Sequence, residues 1–415
     1  MKLEIALSLL LVVLVGITII QGCNGKAVQF IFGDSLSDNG NNNRLSMTLA
    51  KANLPYYGID FGNGLPNGRF TNGRTVADII GDSTGLPRPP AFLDPSVNED
   101  VILENGVNYA SGGGGVLNET GTYFIQRLSL WKQIELFHGT TELITKKLGK
   151  QASDKFFQEA RYVVALGSND FINNYLMPVY RDSWTYNDQT FVEYLMETLE
   201  KQLLVLHKLG ARQLMVFGLG PMGCIPLQRV LSTTGKCQER ANKLALSFNK
   251  AANNLLISLE PKLTNASFKF GDAYDVVDDV IRNPYNMTMI KIKKKNRINS
   301  SYALFFQSKF SMEIVYIVTK TVSLGENHTK WYLRRFTNAD SPCCSLGRIR
   351  PALTCTPAST LCGDRTKYVF WDEYHPSDSA NELIAKELIK KFGFPEVGSP
   401  SPAPESDIAP SPSND

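Results

Sequence analysis

Histidine is scarce in this chain, with four in 415 residues. No HExxH pattern, no CxxC pair and no GxxxxGKS/T loop occurs. Those absences remove the usual sequence grounds for a zinc-protease centre, a thiol-redox or zinc-ribbon site and a phosphate-binding loop. A dominant charge of one sign is missing as well: Lys+Arg number 43 against 40 Asp+Glu, a net of +3. Ten of the basic and two of the acidic residues lie between Asn286 and Arg335, so the rest of the chain carries 33 basic against 38 acidic. A nucleic-acid partner is therefore not expected. Past the first twenty residues no apolar run is long enough for a membrane span, so no integral membrane association is expected of the mature chain.

What is present begins with a leader. Lys2 precedes an apolar run from Ile5 to Ile20, broken only by Ser8, Gly16 and Thr18, and small residues follow to Gly25. A charged start, a short apolar centre and a small-residue exit predict a signal peptide over 1–25, hence a secreted, extracellular protein. Cleavage there removes Cys23 and leaves six cysteines: Cys224, Cys237, Cys343, Cys344, Cys355 and Cys362. An even number in an oxidising compartment favours disulfides over metal sites, with about fifteen pairings open. Sequons occur at Asn118, Asn265, Asn286, Asn299 and Asn327, of which Asn118 and Asn265 are the expected glycan sites. The tail 395–415 is rich in Pro, Ser and Ala and is expected to be disordered, since it has too little apolar surface to offset the entropy of ordering.

Between these ends, short β-branched apolar runs alternate with longer stretches of three-and-four spacing, the pattern of a parallel sheet with crossover helices. Strands are predicted at Val28–Phe32, Gly106–Ala110, Tyr162–Leu166, Gln213–Phe217 and Ser267–Phe270, and amphipathic helices at Phe191–Leu209 and Glu239–Leu259. A last helix is expected from about Asp378 to Phe392, where Ser379 and Glu382 have capping-box spacing just after Pro376.

The first strand stops abruptly at Gly33-Asp34-Ser35. A serine just past the carboxyl end of a parallel strand stands where open α/β sheets bind ligands. Its hydroxyl needs a base, and histidine is the usual one near neutral pH. His138 and His207 sit in or at the ends of amphipathic helices, and His328 lies in the basic segment, which leaves His375 in WDEYHPS. Asp372, three residues before it, can accept the Nδ1 hydrogen and leave Nε2 to face the serine. Donors for a developing oxyanion are available in NYASGGGGV, where glycines allow close backbone approach, and in GSND, where Asn169 ends a strand.

GDSLSDNGNNN at 33–43, GVNYASGGGG at 106–115, GSND at 167–170 and DEYH at 372–375 resemble, in order, the four signature blocks of the plant GDSL (SGNH) esterase/lipase family. GRFTNGRTVADIIG, LGARQLMVFGLGPMGCIP and NADSPCC extend the resemblance over nearly all of the chain from Val28 to Pro395. It implies a flavodoxin-like α/β/α three-layer SGNH-hydrolase fold with a central parallel sheet of about five strands, in one domain over 26–394. It further implies hydrolysis of carboxylic esters, of lipids or acylated wall components, with no metal and no cofactor. In those terms Ser35 is nucleophile and backbone oxyanion donor, His375 base, Asp372 its partner, Asn169 the side-chain oxyanion donor and Gly112 or Gly113 the third. The expected setting is the cell wall or apoplast, the expected state a monomer and the expected partner a small-molecule or lipid ester. Acyl transfer from the same site, or a non-catalytic wall or lipid-binding role, are the competing readings.

One segment departs from the pattern. Residues 286–335 stand where the family resemblance leads straight from VVDDVIRNP to FTN; they contain no proline and carry three of the five sequons. Structureless loops of this length are uncommon in compact domains. The segment reads as an anomalous insertion, either a retained intron or faulty gene model, or a genuine surface insertion.

Overall fold

The computed structural model describes residues 27–284, 288–291, 331–334, 336–346 and 355–394. The expected leader, the tail 395–415, most of the insertion and the sequons at Asn286, Asn299 and Asn327 lie outside them. Five short strands build the central sheet: β1 (Gln29–Gly33), β2 (Gly106–Asn108), β3 (Arg161–Ala165), β4 (Gln213–Phe217) and β5 (Ser267–Gly271). All pairs are parallel, in the order β2-β1-β3-β4-β5. This is the doubly wound order of flavodoxin-like sheets, whose direction of winding reverses between β1 and β3. β2 is shorter than expected because Gly33 of β1 donates its N–H to the Gln133 side chain, although Tyr109 and Ser111 still donate theirs to Ile31 and Gly33.

Both faces of the sheet are covered, which is why its strands read as nearly unbroken apolar runs. The principal helices are α1 (Val76–Ser83), α2 (Leu130–Leu148), α3 (Asp188–Lys208), α4 (Glu239–Leu259), α5 (Tyr274–Arg282) and α6 (Asp378–Phe392). Side chains alternate along each strand. Phe30, Phe32, Val164 and Val216 pack with α2, α3 and α4; Ile31, Val163, Ala165 and Met215 pack with α1 and α6 on the opposite face. Three layers result, α/β/α, as the resemblance implied.

The start of α6 corrects one expectation. Its N-cap is Ser377, whose hydroxyl accepts from the Ala380 N–H. Ser379 is buried within the first turn, and Glu382 pairs instead with Arg74 at 3.2 Å and Lys386 at 2.6 Å. The helix itself runs from Asp378 to Phe392 as expected; only its cap differs, because Ser377, which also donates its backbone N–H to Val369, is the residue that precedes the first turn.

Beyond residue 335, four short strands complete the fold. With β6 (Thr288–Lys291) and β7 (Trp331–Arg334) named for the second unit below, they are β8 (Asn338–Pro342), β9 (Cys344–Ser345), β10 (Thr360–Leu361) and β11 (Tyr368–Phe370). β8 and β11 pair in parallel, β9 and β10 antiparallel. The six cysteines form Cys224–Cys237, Cys343–Cys362 and Cys344–Cys355. Each closes a loop of 11 to 19 residues, a constraint worth about 3 kcal/mol in the chain-entropy account.

Contacts divide the chain into a main unit within Met1–Pro284 and Phe336–Asp415 and a small one, Tyr285–Arg335. In the small unit β6 and β7 form an antiparallel ladder, with Thr288 opposite Arg334 and Lys291 opposite Trp331.

Candidate active site

The carboxyl ends of β1 and β3 lie side by side at the switch point, and the chain after β1 turns there sharply. Gly33 is required at the bend: a Cβ on it would stand 2.8 Å from the Ala165 carbonyl oxygen. Gln133 from α2 clamps the same glycine, accepting from its N–H at 2.9 Å and donating to its carbonyl at 2.8 Å. Asp34 then donates its backbone N–H to Ala165 and accepts the Leu36 N–H on its carboxylate. Ser35, half-buried, is left facing the cleft.

His375 arrives from the other end of the chain. Cys343 and Cys344 donate backbone N–H groups to Phe370 and Trp371, so the disulfide-stapled segment holds the strand that leads into Asp372. On the next side, the GRFTNGRT stretch is tied to the start of α6. Thr71 donates to the Pro376 carbonyl at 2.9 Å, Asn72 accepts the Asp378 N–H at 2.8 Å, and Arg74 pairs with the Asp378 carboxylate at 2.8 Å. Between these supports His375 Nε2 lies 2.7 Å from Ser35 Oγ, across 340 residues of sequence. Its Nδ1 lies 2.8 Å from both oxygens of Asp372. A carboxylate facing Nδ1 fixes the hydrogen there, so Nε2 carries the lone pair and accepts from the serine hydroxyl.

Asp372 is fully buried. Burial alone would raise it, but the His375 charge and hydrogen bond, with the Tyr374 N–H and the Tyr57 hydroxyl, hold it below the ordinary carboxylate value. Tyr57 donates to Asp372 Oδ2 at 2.7 Å and is itself fully buried. No sequence signal pointed to it, because its partner lies 315 residues away. Phe70 covers the imidazole with ring centroids 5.2 Å apart.

Asn169 stands across the cleft. Its Oδ1 accepts from Asn173 at 2.6 Å and one Nδ2 hydrogen goes to the Gly114 carbonyl at 2.9 Å. The amide is thereby oriented, and its second N–H is left for the cavity it lines with Ser35 and His375. The two glycines expected in this role separate. Gly112 donates its N–H to Asp38 at 3.0 Å. Gly113, in the left-handed region at φ 79°, has no partner for its N–H among the described residues. Asp38 also caps the N–H groups of Gly40, Asn41 and Asn42, and burial pushes it up to about 6.

His138, His207 and the expected glycan sites are not among the residues that line the cleft, and His328 lies outside the described residues. His138 is exposed beside Glu142 on α2, and His207 bonds to the Thr264 carbonyl. Asn118 and Asn265 are both exposed. Among the described residues no cluster of His, Cys, Asp and Glu could hold a metal ion, and no helix is long and apolar enough to cross a membrane.

A hydroxyl, an imidazole and a buried carboxylate in line, facing oriented N–H donors, form an arrangement that can attack a carbonyl and hold the resulting oxyanion. Against known proteins, the GDSL-like lipase/acylhydrolase family model matches residues 30–388. The chain belongs to this family. One GDSL esterase/lipase of Arabidopsis thaliana is 64% identical over 398 residues, covering 95% of this chain and 96% of its own. A second from the same plant is 41% identical, covering 96% and 98%, and GDSL esterase/lipase 7, also from Arabidopsis thaliana, is 36% identical, covering 87% of each. As a GDSL esterase/lipase, the chain is a carboxylic ester hydrolase, and the four blocks that carry the resemblance are the segments that converge on this cleft.

Proposed function

We propose that this GDSL hydrolase cleaves esters through Ser35, His375 and Asp372 as a secreted enzyme. The observation that carries the reading is the 2.7 Å contact between His375 Nε2 and Ser35 Oγ, with Asp372 behind the ring. His375 takes the hydroxyl proton as Ser35 Oγ bonds to the ester carbon. The carbonyl oxygen becomes an oxyanion held by the Ser35 and Gly113 backbone N–H groups and the free amide hydrogen of Asn169. The carbon–oxygen bond to the alcohol then breaks, and His375 gives its proton to that oxygen. Water, deprotonated by the same imidazole, attacks the acyl-serine and releases the acid. Asp372 holds the ring and its tautomer and balances the charge that the imidazole gains.

Secretion rests on the leader over 1–25 and on three disulfides, which an oxidising compartment sustains. Asn118 and Asn265 are offered as glycan sites on their exposure. One catalytic domain is proposed over 26–394, since both ends of the chain contribute to one site.

The test is hydrolysis of p-nitrophenyl acetate by the purified secreted protein and by its Ser35→Ala variant. The wild type is expected to turn over and the variant to lose activity while keeping its melting temperature. Equal rates in the two would refute the serine mechanism.

A further inference from the structure

The cleft opens into a cavity of about 160 Å³ that is partly open to solvent. Among the described residues, no Lys, Arg or Glu side chain and a single carboxylate line it. Its one carboxylate, Asp34, is engaged by the Leu36 N–H and the Ser168 hydroxyl, and Asn381 is turned to the Arg74 carbonyl. The wall beyond is hydrocarbon: Phe217 at the end of β4, Met222 in the turn of helix that follows it, Val277 and Ile281 of α5, Ile384 and Leu388 of α6. A sugar in this space would leave its hydroxyls without partners, a cost that a hydrocarbon chain does not incur.

Three glycines border the cavity, two after β4 and one at the end of β5, for different reasons. A Cβ on Gly218 would meet Phe270 at 2.9 Å, and one on Gly271 would meet Phe392 at 2.6 Å, so packing requires glycine at both. At Gly220 a Cβ would meet only Val277 Cγ1, at 3.9 Å, and the backbone is outside the left-handed region. Neither packing nor conformation demands glycine there. What a side chain at this position would take up is the open space facing α5.

We propose that this cavity binds the acyl chain of the ester, a linear fatty chain, and that Gly220 sets the length it accepts. The proposal rests on the serine-esterase reading above. Ser35 and Asn169 line the same cavity, so a carbonyl carbon on Ser35 with its oxygen at Asn169 extends its substituent along the apolar wall.

The experiment compares p-nitrophenyl acetate, butyrate, octanoate and dodecanoate, below their aggregation limits, in the wild type and in Gly220→Ala, Gly220→Leu and Gly220→Phe. In the wild type kcat/KM is expected to rise about three- to fourfold per methylene buried, until the cavity is full. The dodecanoate-to-acetate ratio should then fall stepwise with side-chain size at position 220, by at least about tenfold for Phe. Val277→Phe fills the same space from the opposite wall and should lower the ratio independently, which keeps the test decisive if a Gly220 variant does not fold. A flat chain-length profile in the wild type overturns the proposal, as does an unchanged ratio in folded Gly220→Phe or Val277→Phe. Preference for dodecyl acetate over ethyl dodecanoate would also overturn it, by assigning the cavity to the alcohol. Loss of Ser35-dependent hydrolysis on every ester, acetate included, would instead reject the mechanism underneath.

Discussion

Glu373 sits between Asp372 and Tyr374, is 4% exposed, and has no hydrogen-bond partner in another residue for either carboxylate oxygen among the described residues. Burial, and after it the Asp372 charge, push it from 4.5 up to about 8. Below pH 4.5 the folded and unfolded chains both hold the proton. Between 4.5 and 8 the unfolded chain releases it and the folded chain keeps it, so stability falls as pH rises, by about 1.4 kcal/mol per pH unit. Above pH 8 the loss levels off. Glu373→Gln replaces the neutral acid by an amide of similar shape that cannot ionise. The variant should match the wild type near pH 4.5 and exceed it by about 3 kcal/mol at pH 7, on the order of 5 °C in melting temperature. Thermal or urea unfolding from pH 4 to 8 measures this. Asp34, Asp38 and Asp170, each pushed up to about 6 chiefly by burial, add slopes of the same sign in both proteins. The difference between the two curves therefore isolates Glu373. Parallel curves would refute the argument, because they would mean that the carboxyl reaches water or a partner and ionises at its ordinary pH.

Asn169→Ala should lower kcat by about 10² to 10³ with a smaller change in KM, since the lost hydrogen bond forms to the oxyanion more than to the ground-state carbonyl; steady-state kinetics on butyrate measures it, and an effect confined to KM would place Asn169 in substrate binding. Tyr57→Phe removes a hydrogen bond to a buried carboxylate and should cost about 1.5 to 3 kcal/mol by urea unfolding, because charged acceptors lose more than neutral ones. Excision of residues 286–335 should leave Ser35-dependent hydrolysis in place, as the cleft is built within the main unit. Activity only in the shortened protein would favour a retained intron, and activity only in the full chain would make the segment part of the working enzyme.

The layers of this fold were legible in the sequence because a sheet buried on both faces has a strong local signature. Phe30-Ile31-Phe32 and Val163-Val164-Ala165 serve opposite faces residue by residue, so each run is apolar without interruption. Ser35, Asn169, Asp372 and His375 were legible because each stands in a short block whose chemistry is local, at a strand end or in a D-x-x-H turn. What the chain's own order did not contain was everything that depends on distant partners. Ser379 and Glu382 have the spacing of a cap, but Ser377 takes the cap and Arg74 draws Glu382 away. Adjacent glycines are equivalent in sequence, and only the folded position of Asp38 consumes the N–H of Gly112 and leaves that of Gly113. The six cysteines allowed many pairings until folding set three. Tyr57 beneath Asp372 and the cavity left open at Gly220 likewise exist only once segments hundreds of residues apart have packed. The local pattern thus determined the class of chemistry, while tertiary packing decided which donors are free, which carboxylates are protonated and what shape of ester the site can hold, because free space and unpaired hydrogen bonds are properties of the assembled fold.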